Sequence, residues 1–410
     1  MTTPTIPARK PGGSRRWFLR AGASFGAALA ALRAPTSSAA DLPGSLGAPV
    51  SGYGSRSRFE RALRALGNAR TPRSTVSYAP LRDTFGIVTP SSLHFERHHA
   101  GVPELDSATH TLTVHGLVDR PLVFSIDELK RLPSVSRFFF IECSGNTSSE
   151  WTGANAPDVQ RSHGLTSCSE WTGVWLSTIL RQSGAQPGAT WIVAEGADAA
   201  RVARSLPMDK AMKDVLVAYA QNGEPLRPEQ GYPLRLIVPG VEGIANVKWL
   251  HRVKLVDRPA MTRWETSKYT DLLPDGTSRI FTFEMDAKSV ITRPSGGETL
   301  PGAGVYEISG LAWTGRGAVA RVDITTDGGR TWNPAELQAP VLPLAHTRFR
   351  WSWRWDGGET LIASRVTDET GYVQPTLIDL LKARGRFSGY HNNAIQPWKV
   401  TAAGVVTNGL

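Results

Sequence analysis

The chain carries two cysteines in 410 residues, and one of them stands where a thiolate can do chemistry. Cys143 follows an apolar run, residues 138–141 (FFFI), that reads as a buried strand, and it precedes Ser144, Gly145 and Asn146, which read as a turn. A soft thiolate at the mouth of a strand suits a thiophilic metal, and the glycine beside it lets another group approach the backbone closely. The other thiol, Cys168, permits a different use of the same residues, a Cys143–Cys168 disulfide in a secreted protein. Spacing alone leaves both open.

A second group with chemical capacity is Arg97, His98 and His99 in SSLHFERHHAGVP, expected on a loop between apolar stretches. Arginine offers paired donors and histidine a donor or a charge, so such a cluster can hold a phosphate or an oxyanion. Taken by itself, the histidine pair reads first as solvated loop polarity.

The start of the chain bears on where these groups would work. Ser14-Arg15-Arg16-Trp17-Phe18-Leu19-Arg20, an apolar stretch over residues 21–32 and a small-residue end at Ser38-Ala39-Ala40 read as a twin-arginine export signal over residues 1–40. That route carries folded proteins, so the signal predicts a periplasmic protein with a cofactor inserted before export. The formal charge is +10, but Arg9, Lys10, Arg15, Arg16, Arg20 and Arg33 fall in residues 1–40 with no acid, leaving +4 for the rest. A nucleic-acid binder is not indicated. No apolar run approaches the ~20 residues of a membrane span. About 370 residues remain, enough for two domains, and 40 glycines with 13 tryptophans fit strands and loops better than a helical bundle.

The elements that must position the chemistry read as follows. Residues 41–75 look like a Gly-, Ser-, Arg- and Pro-rich arm with a short helix over 58–66. Strands are expected at 111–117, 138–141, 191–194, around the turn in VLVAYAQNGEPLRPEQGYPLRLIVPG, and at 247–256, with helices at 126–131 and 175–183. This mixture indicates an α+β domain. Beyond residue 274, alternating segments at 305–313, 318–325, 349–355 and 360–367 are separated by Asp327-Gly328-Gly329 and Asp356-Gly357-Gly358 turns, which predicts an immunoglobulin-like β-sandwich.

In order along the chain, FERHH, ECSGN, EGAD (Glu195 to Asp198), NGEPL, GYPLRLIVPGVEG, NVKWL, and Trp264 with Tyr269 resemble the motifs of the sulfite oxidase family of molybdenum enzymes, and within it the molybdenum subunits of sulfane dehydrogenases. The resemblance covers nearly all of residues 41–405. It implies a catalytic domain over 41–275 and an immunoglobulin-like dimerisation domain over 276–405. It further implies molybdenum held by a pterin dithiolene (molybdopterin) and by the Cys143 thiolate. Arg235 and Lys248 match cofactor-binding motifs, with His98, His99, Asp198 and Asn246 as further contacts; Arg97 and Tyr269 match positions beside the reacting oxygen. Read without the resemblance, Arg235 is an edge-strand charge and Lys248 a surface lysine. Electrons would leave to a c-type cytochrome, a separate partner because the sequence has no Cys-x-x-Cys-His haem-attachment signature.

The sequence departs from the family pattern where paired arginines normally follow the cysteine loop: Thr147 and Ser148 stand there, Glu170 falls near another expected arginine, and His391 near a further one. Each missing charge-assisted contact removes roughly 1.5 to 3 kcal/mol of binding to a free dianion. The expected substrate is therefore a sulfane sulfur on a sulfur-carrier protein, with Cys168 and Glu170 shaping the entrance; the other reading of Cys168 is a buried small hydrophobe. The alternative is free sulfite. A methionine sulfoxide reductase of related architecture would lack the second domain, and a non-enzymatic secreted protein would contain the disulfide.

Overall fold

A computed structural model of the protein describes residues 49–68, 71, 73–386 and 388–410. The expected export signal lies outside the described residues. The chain forms two units, Met1–Glu60 and Arg61–Leu410. In the first, the described residues 49–60 contain no helix or strand, and the Ser51 hydroxyl donates to the Tyr53 carbonyl at 2.9 Å.

No helix forms over residues 58–66. Ala65–Leu66 is a short strand instead, paired antiparallel with Val76–Tyr78, and the Gly67 amide donates to the Val76 carbonyl at 3.0 Å. Leu63 and Leu66 remain exposed, so a helix there would have no apolar face to bury. Val76–Tyr78 pairs in turn with Glu96–Arg97, which puts Arg97 at the end of a strand rather than in the expected loop.

Two sheets follow, the first mixed and the second antiparallel throughout. One runs in the order Leu122–Ser125, Thr111–Gly116, Leu250–Val256, Trp191–Gly196, Ala203–Pro207, with Leu250–Val256 and Thr111–Gly116 parallel. The other runs Glu224–Pro225, Leu216–Gln221, Thr166–Trp175, Ser134–Glu142, and Arg235–Ile237 also pairs with Leu216–Gln221. Helix Ile126–Lys130 starts at a capping box made by Ser125 and Glu128, and helix Leu176–Ser183 ends at Gly184 in the left-handed region. The architecture is α+β, as expected.

Strand Thr166–Trp175 escapes a reading by hydrophobic pattern. Thr166, Ser167 and Ser169 are buried, and each is satisfied: Thr166 shares a hydrogen bond with His346, Ser167 accepts from the Phe95 amide and Ser169 from Gln221. The strand pairs residue for residue with Ser134–Glu142, from Ser134↔Val174 to Glu142↔Thr166, and so carries the chain to the cysteine.

Residues 288–408 form a β-sandwich. One sheet holds Lys288–Arg293, Gly304–Trp313, Thr347–Trp355 and Glu336–Leu337; the other holds Asn333–Pro334, Val319–Thr325, Thr360–Asp368, Trp398–Val400 and Val406–Asn408. A single apolar core runs from Phe140, Ile141 and Trp171 of the catalytic sheet into Trp313, Phe349 and Trp398 of the sandwich. Among the described residues no helix is long and apolar enough to cross a membrane.

Candidate active site

Strand Ser134–Glu142 ends one residue before Cys143, and its burial is confined to the apolar end that includes residues 139–142. Past the strand the chain turns tightly: the Cys143 amide donates to the Leu165 carbonyl at 2.9 Å and the Asn146 amide to the Cys143 carbonyl at 2.8 Å. The Asn146 amide side chain bridges Glu142 Oε1 (2.9 Å) and the Leu165 amide (3.1 Å), which fixes the loop at both ends. Gly243 closes over it. A Cβ there would come within 2.8 Å of the Glu142 carbonyl oxygen and 3.2 Å of Cys143 Cα, so only glycine allows this approach.

Cys143 opens into a part-enclosed cavity. Arg97, His98, His99, Asp198, Arg235, Asn246, Lys248 and Tyr269 all line it. The structure thus brings Cys143 and the eight residues expected as cofactor-binding or catalytic to one place. Sequence reading passed over Gln230, Trp249 and Gly243, which line it too; only GYPLRLIVPGVEG and NVKWL, as stretches, pointed near them.

The polar groups form a connected set. Lys248 Nζ donates to His98 Nδ1 at 2.8 Å and to the Glu229 carbonyl at 3.0 Å. His98 Nε2 then donates to Glu96 Oε2 at 2.7 Å, so the ring is a neutral Nε2–H tautomer. Burial and the Lys248 ammonium agree with that by lowering His98 to about 4. His99 is lowered to about 3 by burial and by Arg97, and its Nε2 lies 2.8 Å from the Tyr269 hydroxyl. Burial, and then the charge at Cys143, raise Tyr269 well above the usual phenol value, so this bond joins a neutral imidazole to a protonated phenol. Tyr269 has φ of 58° and Trp249 of 55°, left-handed conformations that non-glycine residues take up where neighbours enforce them.

Arg97 donates to the His98 carbonyl and, at 3.3 Å, to Ser74 Oγ. Asp198 accepts from the Val202 amide at 3.1 Å. Asn246 commits its side chain to the backbone of its own loop, accepting from the Val238 amide at 2.8 Å. Arg235 is only 4% exposed, so it is not the solvated edge charge its strand position allows, and Lys248 is half-buried with its pKa well below the lysine value because of burial and Arg235. At Cys143, burial raises the thiol, the Gly145 amide and then Arg97 lower it, and Glu142 and Glu242 raise it.

Several expectations do not survive. Cys143 and Cys168 are both free thiols. Cys168 pairs with Phe140 inside the sheet, is fully buried and has its thiol pushed up to about 12 by burial; it belongs to the core, as a small apolar side chain does. Neither Cys168 nor Glu170 lines the cavity; Glu170 sits opposite Phe138, well back along the strand. Thr147 is buried and turned away, bonding the Asn392 carbonyl at 2.5 Å, and Ser148 is exposed. His391 is brought to the cysteine loop, its amide donating to the Ser144 carbonyl at 2.8 Å and its Nε2 lying 3.5 Å from Glu242 Oε2.

Among the described residues no cluster of three or more His, Cys, Asp or Glu could hold a metal. A metal at Cys143 would find too few further His, Cys, Asp or Glu ligands among the described residues to complete a site, so its other donors would come from water or a cofactor. The cavity fits one that carries sulfur donors and a phosphate: Arg235 Nε is buried without a partner, and Arg235, Lys248 and Arg97 outnumber the one acid, Asp198, in its lining.

An α+β body whose cavity sets a free thiol among three cations, joined to a β-sandwich through one core, offers the kind of site that holds an anionic cofactor. Residues 99–264 match the oxidoreductase molybdopterin binding domain and residues 279–397 the Mo-co oxidoreductase dimerisation domain. The chain is 32% identical to the mitochondrial sulfite oxidase of Rattus norvegicus over 343 residues, 76% of this chain and 62% of that protein. It is 32% identical to the sulfite oxidase of Gallus gallus over 317 residues, 70% of this chain and 68% of that one. The crystal structure of the sulfane dehydrogenase SoxCD from Paracoccus pantotrophus superposes with a TM-score of 0.88 at 45% identity, covering 90% of this chain and 96% of that chain. The chain belongs to the sulfite oxidase family of molybdopterin oxidoreductases. It spans about 62% of the rat protein's length.

Proposed function

We propose that the protein is a periplasmic, molybdenum-dependent sulfur dehydrogenase, exported by the twin-arginine route, that oxidises sulfane sulfur carried on a protein cysteine and passes the electrons to a c-type cytochrome. Arg235 and Lys248 hold the cofactor's phosphate through charge-assisted bonds, and the Cys143 thiolate binds the metal. When bound, the cofactor supplies the redox chemistry, transfer of water-derived oxygen to sulfur with uptake of an electron pair. Arg97 stabilises negative charge on the oxygen joined to sulfur, and the protonated Tyr269 donates a hydrogen bond to it. Neutral His99 holds the Tyr269 hydroxyl at 2.8 Å.

The observation that carries the sulfane reading is the charge around Cys143. Arg97 is the cation that lowers the Cys143 thiol, and the carboxylates of Glu142 and Glu242 are paired with Lys288 and Arg204. Thr147, where the family pattern has an arginine, faces away from the cavity. With Arg235 and Lys248 engaged by the cofactor, Arg97 is the lining cation left to replace a free dianion's hydration, whereas a sulfur tethered to a carrier arrives with less charge. The likeness to the sulfane dehydrogenase SoxCD supports the same reading, and the likeness to sulfite oxidases favours free sulfite as the second.

The test is cytochrome c reduction by protein purified after export and normalised to molybdenum, with free sulfite and with carrier-bound sulfane in parallel. Rapid turnover on the carrier and negligible turnover on sulfite is the expected result. The reverse would make the protein a sulfite dehydrogenase.

A further inference from the structure

The β-sandwich reaches the metal-ligand loop with a buried cation. Lys288 opens strand Lys288–Arg293 of the second domain and is 1% exposed, and its Nζ donates to Glu142 Oε1 at 2.5 Å and to Thr147 Oγ1 at 3.2 Å. Glu142, wholly buried and next to Cys143, also accepts from Trp313 Nε1 at 2.7 Å. Residues 391–392 of the same domain hold the loop between those points. The His391 amide donates to the Ser144 carbonyl at 2.8 Å, Asn392 Nδ2 donates to the Thr147 carbonyl at 3.2 Å, and the Asn392 carbonyl accepts from Thr147 Oγ1.

We propose that Lys288 is a positioning residue for the Cys143 ligand, and that the dimerisation domain, through Lys288, sets the geometry of the thiolate loop. Glu142 and Thr147 bracket Cys143, and one ammonium bonds both. Without it a wholly buried carboxylate loses its counter-charge, and the contacts through which Glu142 holds the loop rearrange. The loop cannot move without taking Cys143 with it. Thr147 is spent on this grip and on Asn392, which explains why a side chain in this part of the loop contributes nothing to the cavity.

The inference rests on Cys143 as the metal ligand, and the experiment separates the two claims. The full chain is purified with its cofactor and treated with iodoacetamide, and carbamidomethylation of Cys143 is followed by mass spectrometry beside molybdenum content. A thiolate on the metal is protected; a loosened one is not. In Lys288→Met the alkylation rate of Cys143 should rise roughly tenfold or more. The pair Glu142→Gln with Lys288→Met, which removes both charges, should return it towards the parent rate. Thr147→Val leaves the ion pair intact, and should raise the rate by a smaller factor; it keeps the question open to test where Lys288→Met does not fold. Full protection of Cys143 in folded Lys288→Met or in Thr147→Val would overturn the role of Lys288. Rapid alkylation in the parent protein at full molybdenum content would instead remove Cys143 from the metal, and the proposal with it.

Discussion

The three cations around Cys143 have separable duties. Lys248 and Arg235 lie among backbone carbonyls and Gln230, held in place before any ligand arrives, whereas Arg97 sits at a strand end and acts on the charge at Cys143 itself. A group that stabilises developing charge affects rate more than binding. Arg97→Ala should therefore lower turnover by roughly 10²-fold or more while molybdenum content stays close to that of the parent. Assay of turnover per molybdenum against molybdenum per chain checks this. Loss of metal at unchanged specific turnover would put Arg97 in the cofactor cradle. The same residues were legible in the sequence through FERHH, GYPLRLIVPGVEG and NVKWL, because ordered motifs preserve chemistry even where spacing says nothing of distance. Lys288 was not legible. A lone lysine opening a strand has no pattern, and its meaning comes from a carboxylate 146 positions away.

At the scale of elements, the sequence was readable where burial follows apolar period and silent where it does not. Strands Trp191–Gly196, Gly304–Trp313 and Thr360–Asp368 fall where alternation placed them. Strand Thr166–Trp175 was missed because buried Thr and Ser carry no apolar signal, and the helix expected over residues 58–66 was lost to strand pairing by Ala65–Leu66. Position within an element also decides function. Gly243 begins a short 3₁₀ turn, Gly243–Ala245, set against the cysteine loop, and a methyl group there would meet the Glu142 carbonyl at 2.8 Å. Gly243→Ala should cost about 1–3 kcal/mol of stability through overpacking, and should reduce cofactor retention more than a matched change elsewhere. Denaturant midpoints and molybdenum content after dialysis measure the two effects. An unchanged content with unchanged stability would show that the loop yields freely.

One core runs through both domains, and the buried histidines of the molecule make it sensitive to acid. His346 is lowered to about 3 by burial and then by Arg348, while His94 and His163, fully enclosed, are lowered well below their usual value by burial. In the unfolded chain each takes a proton near pH ~6.5, so between that value and about 3 the unfolded state binds more protons and stability falls as pH falls. His346 alone should account for about 2 kcal/mol of stability lost between pH 7 and pH 5. His346→Gln should flatten the pH dependence by that amount in urea titrations, and an unaltered slope would mean that the ring already carries a proton in the fold. The same continuity joins the catalytic sheet to the sandwich at Phe140, Trp171 and Trp313, so the second domain is part of the site's support as well as a candidate for pairing copies.

The central claim is that Cys143 is the protein's ligand to molybdenum in this cavity. It is tested most directly by metal analysis and molybdenum X-ray absorption on the full chain matured in a host that makes the cofactor, for the parent and for Cys143→Ser. The expected result is molybdenum in both, with the sulfur shell smaller in Cys143→Ser by the lost thiolate and turnover abolished in a folded protein. A parent without molybdenum, or a sulfur shell and turnover indifferent to Cys143→Ser, would contradict the account.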